Sequence, residues 1–216
     1  MNWRAARSSK LVLVAALLSH CAEARADEPK PKPENTISIQ LTEPVPAQKF
    51  VRPPQIWITE VTDRSGKPQP MLVMKQRGGI FLDRQPTVIL KETLEQSLKA
   101  ANMLAQEANA ADLQVRVFVF QFGLAEGSLL DFFGKVEFAA TVKNPKTGET
   151  QEVRAAGTSI AGGAFHKKNL QKNVQDDIEA ALKDALRNFL RGQQLKDAVT
   201  ALQKDAAPVS EANPQQ

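Results

Sequence analysis

Residues 113–122, Leu113-Gln114-Val115-Arg116-Val117-Phe118-Val119-Phe120-Gln121-Phe122, alternate with a period of two. Leu113, Val115, Val117 and Val119 face one way. Gln114, Arg116, Phe118, Phe120 and Gln121/Phe122 begin polar and turn aromatic. Successive side chains of a strand point to opposite faces, so the valine side reads as a core face. A second face that becomes apolar along its length is expected to be covered at that end.

Lys135 to Lys143 repeats the alternation through Val136, Phe138, Ala140 and Val142. Asn144-Pro145-Lys146-Thr147-Gly148 is a turn cluster, and Glu149 to Ser159 returns as its hairpin partner. On either side of this β block the period changes. Leu90, Leu94, Ser97/Leu98 and Ala101 mark a helix over Thr87 to Ala101, with Pro86 at its start and Asn102 suited to a left-handed end. Leu170, Val174, Ile178, Ala181/Leu182, Ala185/Leu186 and Phe189/Leu190 form the apolar stripe of a second, longer helix, which Gly192 closes. Leu195 to Val199 prolongs it, and the segment from Ala206 to Gln216 reads as a disordered tail.

Upstream, Ile56, Ile58 and Val61 around Trp57 predict a strand from Gln55 to Asp63, ending in a turn cluster. Met71 to Met74 is a candidate short strand before an Arg77-Gly78-Gly79 break, where both glycines are expected in turns with positive φ. The order strand, short strand, helix, three strands, helix predicts an α+β fold. It implies a mixed, mostly antiparallel sheet of about four to five strands with two helices packed on one face. The domain is expected over 55–191, with a helix extension and tail over 192–216. A proline-rich tether over 27–54 holds seven of the thirteen prolines, and Thr36 to Leu41 within it alternates as an edge strand would.

The first 26 residues have the build of a secretory signal peptide: Arg4, Arg7 and Lys10, the apolar run Leu11 to Leu18, then Ala24-Arg25-Ala26. Eight apolar residues are too few to span a bilayer, which takes about twenty. Ala24 and Ala26 fit cleavage before Asp27. Leu18-Ser19-His20-Cys21 offers a lipidated Cys21 instead, although His20 is bulky for that position. The expected location is the periplasm, with attachment to the outer membrane if Cys21 carries lipid. Of the net charge of +4, the signal peptide holds +3, leaving +1 for the mature chain. Such a balance gives no electrostatic footprint for nucleic acid. Cys21 is the sole cysteine, so no intrachain disulfide is expected.

Chemistry is sparse. The mature chain has one histidine, His166, and no cysteine after residue 21, too little for a nucleophilic triad or a zinc site. Gly78-Gly79 and Gly162-Gly163 lack the flanking residues of a phosphate or dinucleotide loop. Asp176-Asp177 are neighbours on a helix, point apart, and read as a solvated face. No catalytic, cofactor or metal residues are therefore assigned. The stretch Ser128-Leu129-Leu130-Asp131-Phe132-Phe133-Gly134 joins two strands. Leu129, Leu130, Phe132 and Phe133 either fold back over the core or form an exposed contact patch.

Several short pieces resemble the YajG-like family of bacterial envelope lipoproteins. They are Ile56 to Arg64, the Leu94/Leu98 helix followed by Asn102, the Leu113 to Phe122 strand, and Gly163-Ala164-Phe165 with Asn169 before an Ala/Leu-rich helix. The resemblance implies a small α/β domain facing the periplasm, tethered through a lipidated cysteine, with no established enzymatic activity. This sequence departs from that pattern at His20 and in its longer proline-rich segment. The expectation is a non-enzymatic envelope protein binding an envelope protein or a lipid or cell-wall component, touching membrane only peripherally or through a lipid anchor. The rival reading is a periplasmic hydrolase using a carboxylate such as Asp63 beside Arg64.

Overall fold

A computed structural model describes residues 36–66, 71–74, 78–126, 132–159 and 169–204. The segment expected to be a signal peptide with Cys21, the pair Leu129 and Leu130, Gly162-Gly163, His166 and the expected C-terminal tail lie outside the described residues. The strands are β1 (Thr36–Ile37), β2 (Ile56–Asp63), β3 (Met71–Met74), β4 (Gly78–Leu82), β5 (Leu113–Glu126), β6 (Phe132–Lys143) and β7 (Thr150–Thr158). The helices are α1 (Pro86–Ala100), α2 (Leu170–Arg191) and α3 (Gln193–Lys204).

The main sheet has the order β2-β5-β6-β7. β2 runs parallel to β5, which a chain achieves only by crossing over, and α1 supplies the crossover. β5, β6 and β7 form an antiparallel meander around the Asn144 turn, with Gly148 at φ +80°. The fold is thus α+β with a mixed sheet, as the periodicities predict. Ile58, Val115, Val142 and, further along, Val119 and Phe138 share one buried face. There α1 packs over β2 and α2 over β6 and β7. Phe138 and Phe189 meet across this layer with ring centroids 5.5 Å apart.

Helix α2 lies unusually close to the sheet because the strands present glycine to it. A Cβ on Gly134 would stand 2.2 Å from the Asp177 carbonyl oxygen. One on Gly157 would stand 2.2 Å from both the Ala181 oxygen and the Ala185 nitrogen. Ala181 and Ala185, small and fully buried, let the helix backbone approach. The larger Ile178, Leu182, Leu186 and Leu190 fill the flanks, each adding about 1.5–3 kcal/mol of burial.

Four expectations are corrected. Gly78 and Gly79 do not turn the chain; they pair with Met74 and Val73 in a β3–β4 hairpin, and β4 also pairs in parallel with β1. Residues 36–54 are not a free tether, because Ile37, Ile39, Val45 and Pro54 are buried. The Val45 amide donates to Ser97 Oγ on α1 (3.0 Å), and the Gln48 amide to the Leu190 carbonyl on α2 (3.0 Å). Prolines 44 and 46 keep this strap extended, which suits a chain laid across two helices. Third, the stretch beyond Gly192 is a separate helix, α3, burying Leu195, Ala198, Val199 and Leu202. Fourth, Asp177 is 5% exposed and no part of a solvated face.

Candidate functional site

The face of the main sheet opposite the helices is open, and its side chains fall in rows fixed by the register. Trp57, Gln114, Lys143 and Thr150 form the first row, and Glu60, Arg116, Thr141 and Glu152 the second. Thr62, Phe118, Ala139 and Arg154 form the central row. Beyond it lie Gln121, Glu137 and Ala156, then Gly123, Lys135 and Thr158, and finally Ala125 beside Phe133.

Phe118 stands half-buried at the centre. The Arg64 guanidinium carbon lies 4.0 Å from its ring centroid and that of Arg116 lies 5.2 Å away. Both separations are in the range where a cation gains from the ring's negative face. Arg116 also pairs with Glu60 at 2.7 Å, and Thr62 Oγ1 donates to the same carboxylate at 2.8 Å. Lys135–Glu137 at 3.1 Å and Arg154–Glu152 at 2.7 Å continue the alternation of charge. The expected cover over the aromatic end of this face is thus partly supplied by two arginine side chains.

A β-bulge between Val119 and Gln121 changes the parity of β5. Phe120 becomes the extra residue and is 39% exposed, whereas Phe122 turns inward opposite Val136 and is buried. This corrects the sequence assignment of Phe122 to the outer face, since one inserted residue moves every later side chain to the other side. Phe132 and Phe133 are not at a hairpin tip. They continue β6, paired with Glu126 and Ala125, and are half-buried. This backbone pairing prolongs the sheet beyond the expected limits of residues 122 and 135.

The residues of the hydrolase reading are not brought together. Asp63 Oδ1 accepts the Ser65 amide at 2.8 Å, an ordinary turn contact, while Arg64 lies over Phe118. No group of three His, Cys, Asp or Glu side chains fit to hold a metal occurs among the described residues. A cleft of about 250 Å³ separates Gln40–Glu43 from Asp176, Glu179, Ala180 and Lys183, below the usual range of small-molecule sites. Its Glu179 carboxylate already accepts the Gln40 amide and the Gln175 side-chain amide.

Asp177 occupies a different kind of place. Ser159, just past β7, accepts the Gly134 amide on its hydroxyl at 2.8 Å and hydrogen-bonds the Asp177 side chain. Burial pushes the Asp177 carboxyl above its ordinary value; the Ser159 bond offsets part of this, and the charge of Asp176 adds to it. The group ties β6, β7 and α2 together at one end of the sheet. No sequence signal announced it, because the pattern of a helix face does not show which of two adjacent aspartates turns inward.

No protein-family model matches the chain, and no curated protein does. Solved structures similar to it include a Xanthomonas campestris protein of the DUF330 family, at 12% identity over 79% of this chain and 99% of that one, with TM-score 0.48. A lipoprotein from Neisseria meningitidis matches at 14% identity over 57% of this chain and 94% of its own, with TM-score 0.27. A PelC dodecamer from Paraburkholderia phytofirmans matches at 10% identity over 67% and 94%, with TM-score 0.36. At such values these likenesses carry no function to this chain. The resemblance to the YajG-like lipoproteins rests on its short sequence pieces. Among the described residues, no helix is long and apolar enough to cross a membrane.

Proposed function

We propose that the protein is a non-enzymatic component of the bacterial envelope that captures a partner protein on the open face of its four-stranded sheet. The observation that carries this reading is Phe118 under two guanidinium groups, with the exposed Phe120 beside it. Aromatic and arginine side chains are the residues enriched at the centres of protein interfaces, where they offer large area at low entropic cost. The flanking Glu60–Arg116, Lys135–Glu137 and Glu152–Arg154 pairs give the face both signs of charge, which suits a polar rim on another protein better than a polyanion. The N-terminal signal supports an envelope location.

The test is site-specific photocrosslinking in the intact envelope. A benzophenone side chain at position 120 is expected to join the chain to a discrete partner. The same group at Val88, exposed on α1 at the opposite side of the sheet, is expected not to. Equal labelling from both positions, or none from either, overturns the reading. Lipid or glycan adducts from position 120 replace the protein partner by a membrane or cell-wall component.

A further inference from the structure

The two edges of the main sheet are treated differently. On β7 the outward Arg154 amide donates to Gln194 Oε1 at 3.0 Å, and Asn188 Nδ2 donates to the outward Ala156 carbonyl at 2.8 Å. Side chains of α3 and α2 thereby occupy hydrogen-bonding groups that an incoming strand would need. At the other edge, the start of β2 is covered by backbone: the Ile56 amide donates to Met103 and its carbonyl accepts from Ala105. That cover ends there.

From the parallel register, Glu60, Thr62 and the Arg64 amide turn toward β5, the last donating to the Val119 carbonyl at 2.7 Å. The backbone of Val61 and Asp63 consequently points away from the sheet, and no backbone partner meets it among the described residues. The strand Ile56–Asp63 contains neither Pro nor Lys, the residues that commonly blunt an edge. Its bulge between Ile58 and Glu60 limits a usable edge to about five residues.

We propose that this edge pairs with the same edge of a second copy, antiparallel about a two-fold axis at Thr62. Only residues whose backbone points outward can exchange hydrogen bonds across the new junction, so Val61 must face Asp63 of the partner and Asp63 its Val61. That register sets Glu60 opposite the partner's Arg64, and Arg64 opposite the partner's Glu60, on the open face. Thr62 meets its own copy, a favourable cross-strand pair. One register thus satisfies four backbone groups on each chain and brings two pairs of opposite charge together, which is the self-complementarity a two-fold interface requires. Arg64 keeps its ring contact with Phe118, because stacking uses the face of the guanidinium and leaves its edge N–H groups free to donate. The product is an eight-stranded sheet whose open faces, with both Phe118 side chains, become continuous. The area in contact is small, so the association is weak and concentration-dependent.

Sedimentation equilibrium of the purified protein over a wide concentration range tests this. A monomer–dimer equilibrium is expected. Val61→Pro removes the outward N–H without touching the β2–β5 ladder and is expected to abolish the dimer, with a lower melting temperature because the Val61 side chain also packs against the core. Asp63→Pro removes the other outward N–H at an exposed side chain and is expected to abolish the dimer with a smaller change in melting temperature. Glu60→Arg and Arg64→Glu each place like charges opposite one another and are expected to weaken association several-fold. The double variant E60R/R64E restores it, which a merely structural role of either residue would not do. Monomer at every concentration, or a dimer indifferent to all of these changes, overturns the proposal, whether or not V61P folds.

Discussion

At the scale of single residues, the most informative side chain is Asp177. Its carboxyl is raised above the ordinary value chiefly by burial. At a given pH in the acid range the folded chain therefore binds more protons at this site than the unfolded chain. Stability falls as pH climbs from the unfolded value through the folded one, and the deficit is complete above it. Asp177→Asn keeps an acceptor for Ser159 and removes the buried charge. It is expected to raise the melting temperature by a few degrees at neutral pH and to flatten that part of the acid profile, both read by calorimetry. Gly157 is a complementary case in which space decides. Gly157→Ala drives a methyl into the α2 backbone at Ala181 and Ala185, and overpacking of this kind costs about 3 kcal/mol in a denaturant titration. Gly148→Ala has open space around it and only its positive φ to contend with, so the expected cost is about 1–2 kcal/mol.

Elements were legible where their stabilisation is local and opaque where it is not. The period of two in residues 113–122 and the stripe of α2 are written in neighbouring residues, and both elements form where those patterns lie. Asn102 takes the left-handed conformation expected of it, φ 56°. The parallel partnership of β2 and β5 depends on contacts about fifty-five residues apart, which no periodicity records. The bulge at Phe120 defeated a face assignment for the same reason, since its extra residue is defined only against β6. Proline content misled the reading of the strap, because proline forbids ladder donors yet does not forbid burial of Ile39 and Val45. Ile39→Ala, at a fully buried site, is expected to cost about 2–4 kcal/mol in equilibrium unfolding, whereas a free tether would show no change. The Asn144 turn is likewise more than a turn. Its Oδ1 accepts the Lys146 and Thr147 amides while its Nδ2 donates to the Leu202 carbonyl, so the hairpin holds the end of α3. Asn144→Ala is expected to remove about 2 kcal/mol and to speed amide exchange in α3 before α2.

For the whole molecule, the deciding asymmetry is that both crossover helix and closing helix lie on one face of the sheet. Everything apolar that α1 and α2 can reach is sealed, and the opposite face is left to mixed charge around Phe118. The candidate site was accordingly half legible: Phe118 and Phe120 stood out as apolar residues on a second face, while Arg64 arrives from another strand and could not be placed beside them from sequence. The same asymmetry sets an order of local stability. Over 113–119 of β5 and 135–143 of β6 there are strand neighbours on both sides, so the amides there are expected to exchange only through global opening. β7 is an edge strand, but the Arg154 amide is held by Gln194 and should exchange more slowly than an unprotected edge amide. The outward amides of Val61 and Asp63 should be the fastest in the sheet when the protein is dilute. Raising the concentration should slow these two amides while leaving β5 and β6 unchanged, a pattern that nonspecific aggregation, which slows exposed amides everywhere, would not give. Uniform slowing measured by exchange-resolved mass spectrometry or NMR would separate sheet continuation through β2 from mere crowding of open faces.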